Sequence, residues 1–369
     1  MRMRYFSGLA LCIVFGFMPG NAHSTEPAIN VIVFKEAGRF GGWPANHGMW
    51  IWGDEIVVGY RLCQFKAVDS GHAIDDTAPQ FDVQSRSLDG GMTWKMEKSD
   101  AFIRVEDGGP AIQELTTPLD FTLPDSAFVC RYSKSFSASR FYYSTDRAKT
   151  WIGPFRLPTF GQSQIMARTD LLVGGPHDAT LVLTAAKKNG DEGRVFSART
   201  TDGGVTWNFV TWIGSEPSGF SIMPASVRLS GSKILTTIRR KEVDSHWIDS
   251  FLSTDGGVSF EFLNRPTEST GGNIGNPSSL LRLNDGRLAI VYGYRSPPYG
   301  IRARLSRDEG QSWGNEIILR NDAGCWDMGY PRSVQRSDGK IVSAYYFNDH
   351  QDTERYIAAT IWSPVEPAD

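Results

Sequence analysis

The chain has 369 residues, a net charge of −3 and 40% hydrophobic residues. That is enough apolar material for a sizeable core, and it carries no global basic field of the kind nucleic acid selects. Nothing has metal-ligand spacing, so neither a metal nor an organic cofactor is expected.

Residues 1–24 read as a secretory signal peptide. Arg2 and Arg4 form the charged start, Phe6 to Met18 the apolar run, and Gly20-Asn-Ala22 or Ala22-His-Ser24 a small-residue cleavage site. The apolar run is too short to favour a spanning helix, and no other stretch suits a membrane. The expectation is a periplasmic or secreted protein, with residues 25–369 forming one domain and acting as a monomer. Cys63, Cys130 and Cys325 then remain, which allows one disulfide plus a thiol or three buried thiols.

One phrase recurs along the rest of the chain. It is written Ser87-Leu-Asp-Gly-Gly-Met-Thr-Trp94, then Ser144 to Trp151, Thr200 to Trp207, Ser253 to Phe260 and Ser306 to Trp313. Its aspartates stand at 89, 146, 202, 255 and 308, so the steps are 57, 56, 53 and 53 residues. A fixed period of this size marks a repeat architecture. The Asp carboxylate can accept backbone N–H groups and close a tight turn, and the Gly two residues on supplies φ > 0. The Trp, one of 11 in the chain, can fill the gap between neighbouring units.

Between turns, each unit reads as four short strands. In the fifth they are Pro277 to Leu283, Leu288 to Tyr294, Gly300 to Leu305 and Glu316 to Leu319. Four strands per repeat with turn signals between them predict an all-β, six-bladed β-propeller. The sixth unit has only three strands, Pro331 to Gln335, Lys340 to Tyr346 and Tyr356 to Trp362. Its fourth is supplied by Asn30 to Phe34, so the N-terminal strand closes the last blade and leaves no long edge.

The repeat turns are short and regular, whereas the loops at the other end of the strands are long and irregular, which places function there. Reading strand ends on that face gives Arg39, Trp43, His47, Arg61, Arg131, Arg239, Arg295 and the run Asp327 to Tyr330. Several Arg converging on one mouth would favour an anionic ligand. His47 is a candidate general acid or base.

These residues resemble the bacterial sialidase superfamily, whose repeat phrase is the Asp box, Ser-x-Asp-x-Gly-x-Thr-Trp. The resemblance covers essentially residues 25–369; Ala148 and Phe260 depart from the phrase. It implies a sialidase-type glycosidase acting on a terminal acidic sugar of a glycan or oligosaccharide. Arg39, Arg239 and either Arg295 or Arg302, with Arg295 preferred, would hold the carboxylate. Tyr330 in Gly329-Tyr-Pro331 would be the nucleophile, and Asp75, chosen among Asp69, Asp75, Asp76 and His72, the acid/base. The family's activating Glu should open the fourth blade, where the chain reads Ile222-Met223-Pro224. Two alternatives stay open: a lyase or uronate-specific glycosidase using His47 and Tyr330, and a non-catalytic glycan-binding propeller.

Overall fold

The computed structural model describes residues 27–69, 71–104, 107–132, 139–272, 274–350 and 353–366. The expected signal peptide lies outside the described residues. Six antiparallel sheets follow one another along the chain. In blade 5 the strands are Ser278–Arg282, Leu288–Tyr294, Gly300–Ser306 and Ile317–Arg320, each within two residues of the sequence reading. Blade 6 is closed as expected: Ile29–Phe34 pairs antiparallel with Tyr356–Trp362, Ile29 facing Ile361 and Val31 facing Ala359. The sheets pack face to face, so their middle strands are covered on both sides. Ala179–Ala186 and Ile341–Phe347 are accordingly buried at every position, and they read as continuous apolar runs rather than alternating ones.

The repeat turns are built alike. Ser87 Oγ donates to Asp89 Oδ1 at 2.8 Å and accepts the Gly91 N–H at 2.8 Å. Asp89 then accepts from Thr93 N at 2.8 Å and Thr93 Oγ1 at 2.6 Å. The same four bonds recur at Asp146, Asp202, Asp255 and Asp308. The fifth position needs a left-handed backbone, with φ 93° at Gly91. Ala148 adopts φ 59° without being glycine, at a cost on the order of 1–2 kcal/mol. The Trp of the second copy reaches the neighbouring blade: Trp151 Nε1 donates to Gln84 Oε1 of blade 1 at 2.9 Å.

Two departures from the regular four-strand unit matter for function. The inner strands of blades 1 and 3 are each broken in two, Arg39–Gly42 with Gly48–Trp52, and Ile165–Met166 with Leu171–Val173. Among the described residues blade 2 has three strands, Ala127–Arg131, Arg140–Ser144 and Ile152–Arg156. The segment before Ala127, which would be its inner strand, runs elsewhere. Gln113 bridges Phe155 in the last strand of blade 2, and Leu119 N donates to Gly203 O under blade 3. Cys63, Cys130 and Cys325 are buried, and no disulfide joins them among the described residues.

The turns make the fold acid-sensitive. The Thr93 hydroxyl first, then its N–H, hold the Asp89 carboxyl down to about 2, and the Ser259 hydroxyl lowers Asp255 likewise. A carboxyl depressed in the folded state stabilises fully above its unfolded value near 3.8 and loses that contribution as pH falls through the folded value. Melting temperature should therefore drop between pH about 4 and about 2, and Asp89→Asn should flatten that drop in a thermal-melt series. Gln84→Leu strands the buried Trp151 N–H and should destabilise by about 1–3 kcal/mol in urea unfolding.

Candidate functional site

The inner strands end at the mouth of the central channel, and three of them hold a non-glycine residue in the left-handed region: Trp43 at φ 58°, Met223 at 55° and Tyr330 at 53°. In blades 4 and 6 the register with the second strand slips at that point, between Ile222 and Ala225 and between Gly329 and Arg332. Such strain survives only where surrounding contacts impose it. Here Asn276 does so, accepting the Tyr330 N–H at 2.9 Å and donating to Met328 O at 3.0 Å.

Tyr330 is the centre of the site. Its hydroxyl accepts from Arg239 Nη1 at 2.9 Å, and the same nitrogen lies 3.4 Å from Met223 Sδ. Where the resemblance implies an activating Glu, the chain thus sets a thioether beside Arg239. The Arg239 guanidinium stacks over Phe220 at 5.1 Å and also bonds Ile274 O. Arg295 lies 5.3 Å from the Tyr330 ring centroid. No hydrogen bond from either arginine ends on a carboxylate among the described residues. Burial opposes ionisation of Tyr330, but the charges of Arg239, Arg295 and Arg168 outweigh it, so the phenol is more acidic than an ordinary tyrosine.

Beside Tyr330 lies a second element. Tyr346 stands 5.9 Å from the Tyr330 ring and donates to Asp327 Oδ1 at 2.9 Å. Asp327 is fully buried, bonds His72 Nδ1 at 2.6 Å and accepts from Arg355 Nε at 3.0 Å. Burial would raise its carboxyl, but His72, Arg355 and Arg295 hold it at about 2. His72 is about a quarter exposed and sits between Trp43 and Trp326, at ring distances of 5.0 and 5.8 Å. With Nδ1 tied to a carboxylate, Nε2 is the nitrogen left for a ligand.

The structure redistributes the other expected residues. Asp75 is taken up by a surface turn, accepting from Thr77 N at 3.0 Å and Thr77 Oγ1 at 2.7 Å, while its loop delivers His72 instead. Arg39 opens its strand opposite Gln64 and pairs with Glu36 at 3.6 Å, about a third exposed; it has no contact with Tyr330 among the described residues. Arg295 is at the site but is 1% exposed, committed to Met328 O, Gly275 O and the Tyr346 hydroxyl, so it lends charge rather than a binding face. Arg302 pairs with Glu316 at 3.2 Å, away from the mouth. The three-arginine clamp is thus not assembled.

His47 is buried in blade 1, with Nε2 3.9 Å from Asp82 Oδ1 and Nδ1 lacking a hydrogen-bond partner. Burial first, then Arg131, push its pKa well below the usual value, so it is neutral near pH 7. It does not share a contact with Tyr330. Asp82, paired with Arg61 at 3.0 Å and Arg131 at 3.4 Å, completes that buried cluster. The sequence reading missed Arg168, which projects from the break in blade 3 to Glu192 at 2.5 Å and Asn46 at 2.9 Å. Its signal was present: the charged run Arg168-Thr-Asp170 interrupts an apolar stretch from Ile165 to Val173.

Comparison with known proteins agrees with this architecture. A family model described as a BNR repeat-like domain matches residues 126–342. No curated protein matches the chain. Among solved structures, a protein of unknown function from Dyadobacter fermentans is 21% identical at a TM-score of 0.69, covering 90% of this chain and 97% of that one. The GH93 α-L-arabinofuranosidase of Fusarium graminearum, solved with arabinobiose, is 11% identical at 0.62, with coverage of 92% and 98%. The NanB sialidase of Streptococcus pneumoniae is 12% identical at 0.57, with coverage of 90% and 70%. At these identities the likeness is one of fold. With more than half its length under the family model and the repeat turn written five times, the chain belongs to the BNR repeat-like domain family.

Proposed function

We propose that the protein is a glycosidase acting on a terminal acidic sugar, with Tyr330 as nucleophile and His72 as acid/base. The observation that carries this reading is the Tyr330 hydroxyl, 2.9 Å from Arg239 and acidified by a set of cations. A tyrosine of ordinary pKa, about 10, is mostly protonated near neutrality and a poor nucleophile. Sialidases remove that proton with a carboxylate; here Arg239 stabilises the phenolate directly, and Met223 leaves no base in the Glu position. The phenolate attacks the anomeric carbon while the bond to the leaving oxygen breaks. Protonated His72, held by Asp327, donates its Nε2 proton to that oxygen and then, as base, activates the water that frees the sugar. Arg239, with Arg295 behind it, makes the mouth cationic, which favours an acidic ring, and Trp43 and Trp326 supply faces for it. The arabinofuranosidase and sialidase neighbours support glycosidase chemistry on this fold. Secretion, expected from the N-terminal segment, fits a glycan substrate.

The test is hydrolysis of fluorogenic sialosides, aryl uronides and aryl α-L-arabinofuranosides. Release of the fluorophore from an acidic glycoside is expected, and Tyr330→Phe should lower it at least about a thousandfold, since the nucleophile is lost. Appearance of an unsaturated uronate without hydrolysis would point to the lyase alternative, and glycan binding without turnover to the non-catalytic one. Removing Arg239 by Arg239→Gln should move the basic limb of the rate profile to higher pH, because the phenol loses its nearest cation. His72→Ala should cost about 100- to 10,000-fold with a poor leaving group and far less with a nitrophenyl one, which needs no proton. Equal loss on both substrates would reduce His72 to a positioning residue.

A further inference from the structure

The missing inner strand of blade 2 leaves a cavity of about 600 Å³ on the repeat-turn side of the ring, opposite the Tyr330 mouth. It is bounded by the inner strands of blades 1, 3, 4, 5 and 6, by Ala127 and Phe128 at the open edge of blade 2, and by the diverted segment from Pro118 to Ser126. At its inner end, Arg332 of blade 6 crosses to Ala45 O at 2.8 Å and to Thr169 O, linking blades 6, 1 and 3.

An extended peptide is the first occupant to weigh, since Ala127–Arg131 has no inner neighbour strand. The edge is nevertheless largely closed. Cys130 N donates to Thr169 Oγ1 at 3.1 Å, and Cys130 O accepts from Arg131 Nη1 at 3.1 Å. By strand alternation only Phe128 still offers a main-chain pair towards the cavity. One such pair is too little for recognition by strand addition, which depends on a ladder.

The side chains describe a different ligand. Hydroxyls enter from four blades at Thr169, Ser226, Ser279 and Ser333; Ser226 and Ser333 give their protons to Asp170 and Ser343 and are left to accept, while Thr169, which takes the Cys130 N–H, is left to donate. Trp50, Phe128 and Tyr143 present aromatic surface in the same walls. The lining holds one cation, Arg332, against two carboxylates, Asp170 and Asp120, so the cavity has no positive excess. Asp170 is fixed by Ser226, accepting from its N–H at 3.0 Å and its Oγ at 2.8 Å. Hydroxyl partners, aromatic faces and no net positive charge suit a polyol and disfavour an anion.

We propose that this cavity is a second, non-catalytic binding site for an uncharged saccharide unit of one or two rings. The site is independent of the chemistry at Tyr330 and stands even if that reading fails. It would let one propeller hold a neutral stretch of glycan on one face and its acidic end on the other.

Isothermal titration with glucose, galactose, arabinose, maltose and glucuronate, followed by saturation-transfer NMR, tests it. At least one neutral sugar should bind saturably, at least tenfold more tightly than glucuronate. Tyr330→Phe should leave that binding unchanged. Ser279→Phe, which fills the cavity, should weaken it at least tenfold. Leu123→Trp obstructs the mouth from an exposed rim position, so it should do the same with the fold intact even if Ser279→Phe fails to fold. Absence of neutral-sugar binding would overturn the proposal. So would glucuronate binding as tightly as the best neutral sugar, or binding that Tyr330→Phe abolishes and Leu123→Trp spares.

Discussion

Six sheets packed face to face around one axis leave their inner strands without a strand partner across the channel, and the rest of the structure follows from that constraint. An inner strand is free to break or bulge because no ladder bond on its axial side is lost. Blades 1 and 3 break; blades 4 and 6 bulge at Met223 and Tyr330. Each irregularity directs a side chain towards the mouth that a regular strand would have turned into a blade interface. The repeat turns, with their carboxylate-centred bonds, give the rigidity against which these strained positions are held.

The second organising feature is charge. Among the described residues Arg239 and Arg295 are both buried without a carboxylate partner, an arrangement that is costly unless some anion is available nearby. The Tyr330 oxygen is the group placed to become that anion. Sialidases place the acidity problem on a carboxylate base; under the proposed function this chain meets it with cations around the phenol. In the proposed mechanism the neighbouring Asp327–His72 pair separates proton handling from nucleophilic attack, with Tyr346 between them.

Much of the scaffold was legible in the sequence because the repeat turn is local. Ser, Asp, Gly and Thr at fixed offsets make their bonds within one turn, so five copies reveal the period, the blade count and the closure by Ile29–Phe34. Blade 2 escaped that reading because its repeat turn is intact; the lost inner strand leaves no trace in the phrase. At the site, Tyr330 and Arg239 were legible because they sit on strand ends, whose direction the repeat determines. Asp75 was not, since a loop of many polar residues does not say which one turns inward. Asp75 closes its own turn with Thr77, whereas His72 reaches across to blade 6. Arg39 and Arg295 illustrate a further limit: strand position says which face an arginine is on, but its freedom to bind depends on carbonyl groups that only the folded chain brings near.

The central claim is that cations, and not a carboxylate base, make Tyr330 reactive. Titration of the protein labelled with carbon-13 at the tyrosine ring carbon bearing the hydroxyl measures this directly. One tyrosine resonance should ionise below the ordinary value of 10, should vanish in Tyr330→Phe, and should move upward in pH in Arg239→Gln. A Tyr330 resonance that ionises at or above 10 in the unaltered protein would contradict the account.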